Sequence, residues 1–248
     1  MSSNEAILGL SFFTGKKEEV LLLLKKGGLL TAPAAPALVE LGRDRYYTEA
    51  LQQSDIVITD SGLMVVLWFL VTGKRLPKLS GLKLLKLLLS QENIKKTDAS
   101  FWIKPGQEAE KRTQSYLNNH GFSLRKKDFY VAPMYADGAI KDPELLEILN
   151  KKRPSYVFIN IGGGKQELLG LYLKKNLRYS PAIVCTGAAI AFLTGEQANI
   201  PTWADRLSLG WFFRCLNKPR IFGKRYFKAL KLIPLLFRHK EHLPSYDT

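Results

Sequence analysis

The chain reads as an α/β fold, a mostly parallel sheet with helices on both faces, followed by a basic helical C-terminal appendage. Three observations predict it. Strand-like and helix-like segments alternate from Ala6 to Gly187. The clearest strand runs, Asp55–Thr59 and Ser155–Ile161, are apolar and rich in β-branched residues, as strands covered by helices must be. From Pro201 onward no strand-like run is evident, and cations interleave with apolar residues instead. The expected division is an α/β core over residues 1–200 and an appendage over 201–248.

In order, Ala6–Phe13 reads as a strand and Lys16–Lys26 as a helix closed by Gly27-Gly28. Leu29–Pro33 is a short strand, followed by a helix from about Pro36 to Gln52. Asp55–Thr59 is a strand ending at Asp60-Ser61-Gly62, after which Leu63–Val71 and Ser80–Leu89 are helical. Ser100–Lys104 is a strand, Pro105-Gly106 a turn, and Gln107–Asn119 a helix stopped by His120-Gly121. Asp128–Ala132 is a strand and Pro143–Lys152 a helix. Ser155–Ile161 runs into Gly162-Gly163-Gly164, Lys165–Lys175 is helical, and Ala182–Thr186 is a last strand ending at Gly187.

A hydrophobic content of 46% excludes a disordered chain, but the formal net charge of +15 is unusual. From Arg214 to Thr248 nine lysines and arginines face two acids, so nearly half the excess sits there. Such asymmetry points to a polyanionic partner, nucleic acid or acidic lipid. The two cysteines, Cys185 and Cys215, have neither metal nor secreted-scaffold spacing, which favours a reducing compartment. Met1–Ala6 lacks the basic and apolar regions of a signal peptide. Leu63–Val71 is too short to span a bilayer, which takes about 20 residues. A cytoplasmic protein, peripheral on the inner membrane face, is expected.

Three strand ends carry polar or glycine-rich turns: Thr59-Asp60-Ser61-Gly62, Gly162-Gly163-Gly164-Lys165-Gln166-Glu167 and Thr186-Gly187-Ala188-Ala189. In an open α/β sheet the carboxyl ends of strands line the ligand crevice. A glycine turn entering a helix offers free N–H groups to phosphate, so the Gly162 turn reads either as a diphosphate cradle or as a tight βα turn. Asp60 reads as a general base or as the cap of the helix beginning near Leu63. Lys165 and Glu167 are ligand-facing or simply solvated first-turn residues. His120, His239 and His242 are scattered and no Asp-x-Asp occurs, so neither a metal nor a cofactor is expected.

The tail is cut by Pro219, Gly223 and Pro234, so it is not one amphipathic helix. Its cations alternate with long apolar side chains rather than with a stacking platform. An anionic membrane surface is therefore the expected partner, and nucleic acid is not.

Together these segments resemble the WecG/TagA/CpsF glycosyltransferases, glycosyltransferase family 26, from about Ile7 to Pro234. The most specific block runs Gly187, Phe192-Leu193-Thr194-Gly195, Pro201-Thr202-Trp203, Leu209-Gly210-Trp211-Phe212-Phe213-Arg214, Pro219-Arg220 and Lys224-Arg225-Tyr226. Gly162–Glu167 is similar to the family's G-x-P-K-Q-E, and Thr31 falls in its T-P stretch. The resemblance implies a Rossmann-like core and an appendage that engages the membrane and completes the site. It implies transfer of an N-acetylmannosamine-type sugar from a UDP donor to a polyprenyl-diphosphate-linked acceptor. By position it places Gln166 at the active site, Thr31 and the Gly162 turn on substrate, and Arg214, Arg220 and Arg225 on diphosphate, where a planar guanidinium pairs well.

Ser61 aligns with the family's catalytic aspartate, and Asp60 falls one position early. Lys83, Ala191, Asn199 and Gly210 replace polar or charged family residues, and the asparagine expected after T-P is missing. This implies a divergent branch in which Asp60 takes the base role, in an inverting, metal-independent transfer that builds surface polysaccharide or cell-wall polymer. The alternative is a catalytically silent protein that binds a nucleotide sugar or lipid within a polysaccharide assembly complex.

Overall fold

The computed structural model describes residues 4–197, 223 and 227–245. Its eight strands are β1 (Asn4–Ile7), β2 (Leu10–Phe13), β3 (Gly28–Thr31), β4 (Ile56–Ile58), β5 (Ser100–Lys104), β6 (Phe129–Val131), β7 (Tyr156–Ile159) and β8 (Ala182–Cys185). They form one sheet in the order β1-β2-β4-β3-β8-β7-β5-β6. All neighbours are parallel except β1 and β2. The first four strands hold one side and the last four the other, meeting where β3 pairs with β8. The carboxyl ends of β4, β3, β8 and β7 therefore open side by side at the point where strand order reverses.

The helices are α1 (Lys17–Leu24), α2 (Ala35–Leu38), α3 (Arg45–Gln52), α4 (Gly62–Thr72), α5 (Gly81–Leu89), α6 (Glu92–Lys95), α7 (Gln107–Asn118), α8 (Pro143–Lys152), α9 (Lys165–Asn176), α10 (Ala189–Leu193) and α11 (Leu232–His239). Because strand side chains alternate between faces, two cores result. Ile103, Ile159 and Cys185 pack with α2, α3, α4, α8, α9 and α11. Trp102, Phe158 and Val184 pack with α1, α5, α6, α7 and α10. On neighbouring strands Trp102 and Phe158 stack with ring centroids 4.1 Å apart. The α/β class with helices on both faces is thus as expected, and no strand occurs after Pro201 among the described residues.

Two expected elements divide. Ala6–Phe13 is a hairpin, turning at Leu8 and Gly9, whose φ values of 50° and 73° give the left-handed pair that a two-residue hairpin turn needs. Leu8 is buried, so the turn looks in sequence like continuing strand. The helix expected over Pro36–Gln52 breaks at Gly42 (φ 79°), and Asp44 restarts it by accepting the N–H groups of Tyr46 and Tyr47. Both breaks meet the end of the chain. Leu8 and Gly9 donate their N–H groups to the carbonyls of Lys240 and Glu241 at 2.7 and 2.9 Å. A β-carbon on Gly9 would lie 2.6 Å from that of Leu243, and one on Gly42 would lie 2.7 Å from the Pro244 carbonyl oxygen.

Gly9→Ala should therefore lose more stability than Gly73→Ala. Gly73 has nearly the same φ, 72°, with no atom within 4 Å of an added β-carbon. Urea denaturation should read a loss of about 1 kcal/mol at Gly73 and about 2–3 kcal/mol at Gly9. Trypsin should also cut faster after Lys240 in Gly9→Ala alone.

Candidate active site

Register builds the site. Ile103 pairs with Ile159, Ile159 with Cys185, and Cys185 with Thr31. The residues that follow, Lys104, Asn160, Thr186 and Ala32, therefore stand in a row on the face covered by α5, α7 and α10. Asp60, two positions beyond Ile58 of β4, continues that row. Its Oδ1 accepts the Gly81 N–H at 2.7 Å, in the first turn of α5. A β-carbon on Gly81 would lie 3.5 Å from Thr186 and 3.6 Å from Asp60, so both residues flank Gly81. Ser61, not Asp60, caps α4, its Oγ accepting the Met64 N–H at 3.3 Å. The cap reading of Asp60 thus shifts to a different helix. Thr59 holds the approach to α5, donating to the Pro77 carbonyl at 2.5 Å and accepting from Leu79 N–H at 3.1 Å.

On the other side, Gln166 ties two turns together. Its Oε1 accepts the Gly187 N–H at 2.8 Å, and its Nε2 donates to Glu167 at 2.8 Å. The second oxygen of Glu167 accepts the Gly164 N–H at 2.6 Å. Asn160 donates to the Thr186 hydroxyl (3.3 Å) and the Gly187 carbonyl (3.2 Å). Gly164 has φ 93°, and a β-carbon on Gly162 or Gly164 would meet nothing within 4 Å, so the turn opens outward.

The structure thus gathers Asp60, Ser61, Gly162, Gly163, Gly164, Gln166, Glu167, Thr186 and Gly187 along one edge. Two expected residues turn elsewhere. The buried Thr31 hydroxyl donates to Ser54 Oγ at 3.1 Å, and the Lys165 ammonium goes to the Ala136 carbonyl and to Asp137. Arg214, Arg220 and Arg225 lie outside the described residues, as does most of the block from Pro201 to Tyr226.

Lys104, Asn160 and Gly81 were not singled out from sequence. The first two are polar residues closing apolar strand runs, a signal that acquires meaning only with the register. Lys104 is 1% exposed, and among the described residues no carboxylate lies within ion-pair distance of it. Burial pushes its ammonium down to about 8, opposed by the more distant Glu196 carboxylate. Glu196 itself accepts the Thr194 hydroxyl at 2.7 Å. The buried Asn160 Oδ1 has no hydrogen-bond partner among the described residues. Cys185 lies beneath the site, its thiol pushed well up by burial and then by Glu167, which leaves it inert. Among the described residues no group of three or more His, Cys, Asp or Glu could hold a metal ion.

A carboxylate after β4 and an open glycine turn after β7, on either side of the switch point, mark the candidate ligand site of an α/β protein. The sequence profile of the glycosyl transferase WecG/TagA/CpsF family matches residues 6–245, and the chain belongs to that family. It is similar to an N-acetylglucosaminyldiphosphoundecaprenol N-acetyl-beta-D-mannosaminyltransferase of Bacillus subtilis (strain 168), at 25% identity over 179 residues. That alignment covers 71% of this chain and 66% of the relative, just under two thirds of its length.

An uncompensated buried ammonium costs stability. Between about pH 8 and 10.5 Lys104 is neutral in the folded chain and charged in the unfolded one. The unfolded chain then binds more protons, so stability rises with pH across that window. Lys104→Met should raise stability at pH 7 by about 2–3 kcal/mol, and the gain should shrink toward pH 10. Denaturation midpoints measured at both pH values check this.

Proposed function

We propose that the protein is an inverting glycosyltransferase that moves an N-acetylmannosamine-type sugar from a UDP-sugar to a polyprenyl-diphosphate-linked acceptor. The observation that carries this reading is the placement of Asp60, Thr186-Gly187 and the Gly162 turn along one carboxyl edge, at the ends of the parallel strands β4, β8 and β7. Membership of the family and the activity in the relative's name support it.

In this reading Asp60 is the base. Gly81 N–H holds one of its carboxylate oxygens and Ser61 stands beside it at the start of α4. The acceptor hydroxyl gives its proton to Asp60 as its oxygen bonds to the anomeric carbon. The bond from that carbon to the diphosphate oxygen breaks, and UDP leaves with the electron pair. Gln166 and Glu167 fix the glycine turn beside the departing diphosphate, while Arg214, Arg220 and Arg225 would add appendage cations to the same charge. No cofactor or metal is assigned a step.

No helix among the described residues is long and apolar enough to cross a membrane. Docking on an anionic bilayer has a different basis. Val66, Phe69 and Leu70 of α4 are exposed, as are Phe227, Leu230 and Phe237 around the neighbouring α11. The Arg75 guanidinium covers the Phe69 ring at 5.9 Å. Lys231, Arg238 and Lys240 surround α11, giving apolar anchors with a rim of one sign. The helix α4 runs about 16 Å from the site edge to the far end of that face.

Asp60→Asn should lower kcat by about 10²–10⁴ with KM little changed, in a UDP-sugar assay with a polyprenyl-diphosphate acceptor. If Ser61→Ala is the more damaging change, the base assignment fails. Chelation by EDTA should leave turnover unaltered. The double variant Leu70→Glu/Phe237→Glu should bind phosphatidylglycerol-containing vesicles at least about tenfold more weakly than wild type, with unchanged circular dichroism. Equal binding to neutral and anionic vesicles would remove the electrostatic part of that assignment.

A further inference from the structure

Two adjacent groups at the carboxyl edge remain unused. Lys104 ends β5 and Asn160 follows β7, and the two strands pair in register up to Ile103 and Ile159. The Asn160 N–H continues that pairing, donating to the Ile103 carbonyl at 3.0 Å. The protein spends the Asn160 amide donor on Thr186 and Gly187 and leaves its buried Oδ1 without a partner among the described residues. Lys104, 1% exposed, has no ion-pair partner among the described residues. A buried cation beside an orphaned acceptor costs stability unless something else completes both.

Distance along the edge indicates what that is. Strands lie about 4.8 Å apart, so β4 and β7, three intervals apart, place Asp60 and the Gly162 turn about 14 Å from each other. A carboxylate, an acceptor oxygen, an anomeric carbon and a phosphate fill such a span at ordinary bond and hydrogen-bond lengths. Lys104 stands one strand beyond the turn, beside the phosphates rather than the sugar.

Resting on the transferase reading above, we propose that Lys104 and Asn160 form the phosphate end of the donor site. Lys104 Nζ binds a diphosphate oxygen of the nucleoside diphosphate, and Asn160 Oδ1 accepts from a donor hydroxyl. With a pKa of about 8, Lys104 is still a cation at neutral pH. Its charge, without an ion-pair partner among the described residues, finds its counter-ion in the ligand. The leaving group thus meets a point charge carried by the rigid sheet, separate from any cation of the appendage.

The test is calorimetric binding of UDP, pyrophosphate and uridine to wild type, Lys104→Met and Lys104→Arg, with turnover measured alongside. Wild type and Lys104→Arg should bind UDP and pyrophosphate. Lys104→Met should bind both at least about tenfold more weakly and uridine as wild type does. An unfolding midpoint no lower than that of wild type shows that the Met variant is folded. The proposal is overturned if Lys104→Met keeps its UDP affinity, if its uridine binding falls by the same factor, or if wild type binds neither phosphate probe. It is also overturned if Lys104 matters only for UDP-glucuronate and not for UDP-glucose, which would give the charge to a sugar carboxylate. Lys104-dependent UDP binding without sugar transfer leaves this site standing and removes the transferase reading. Transfer that is unchanged in Lys104→Met does the reverse.

Discussion

Because β3, β4, β5, β7 and β8 are buried on both faces, a slip of one residue in any pairing would drive Trp102, Phe158 and Val184 into the places of Ile103, Ile159 and Cys185. Both cores would then have to accommodate side chains of the wrong volume, including the Trp102–Phe158 stack. This locking of register is what the site depends on. The polar residues are simply the next ones out along each strand, so their alignment into a row comes from apolar packing beneath them rather than from contacts among themselves.

Above that row two kinds of polar group occur. Some are closed circuits: Gln166 and Glu167 between the turns at Gly164 and Gly187, Thr59 around Pro77 and Leu79, Asp60 on Gly81. These hold backbone and carboxylate in place before any ligand arrives, which is what preorganised electrostatics needs. Others are open circuits among the described residues, the Lys104 ammonium and Asn160 Oδ1. A closed circuit stabilises the empty protein, whereas an open one destabilises it and stabilises only the complex. Such a division is common where function competes with folding.

The parallel sheet, its two-sided cover and most strand positions were legible because buried strands announce themselves as short apolar, β-branched runs. The hairpin was not legible, since Leu8 occupies a turn position normally held by Asn or Gly and does so while buried. The split between α2 and α3 was hidden because Gly42 and Asp44 sit within an otherwise helical pattern. At the site, the residues flagged by glycine turns and strand ends do gather, but sequence alone could not say which way a side chain points. Thr31 lies at a strand end and turns to Ser54, and Lys165 enters the first turn of α9 and swings out to Asp137. Lys104 and Asn160 show the opposite failure: their meaning comes from strand pairing across distant sequence, which no local pattern encodes.

The union of Leu8 and Gly9 with Lys240 and Glu241 also bears on how the molecule is made. The hairpin is synthesised long before its hydrogen-bonding partners Lys240 and Glu241. Until Lys240 and Glu241 are made, the turn's two N–H groups and the buried Leu8 side chain wait without their native cover. Contacts of such wide sequence separation are slow to close and leave apolar surface open meanwhile. Closing this contact is therefore a late event of folding, a clasp between distant parts of the chain. Gly9 and Gly42 keep that clasp's landing ground free of side chains, so that Leu243 and Pro244 can seat against the hairpin and the loop beside it.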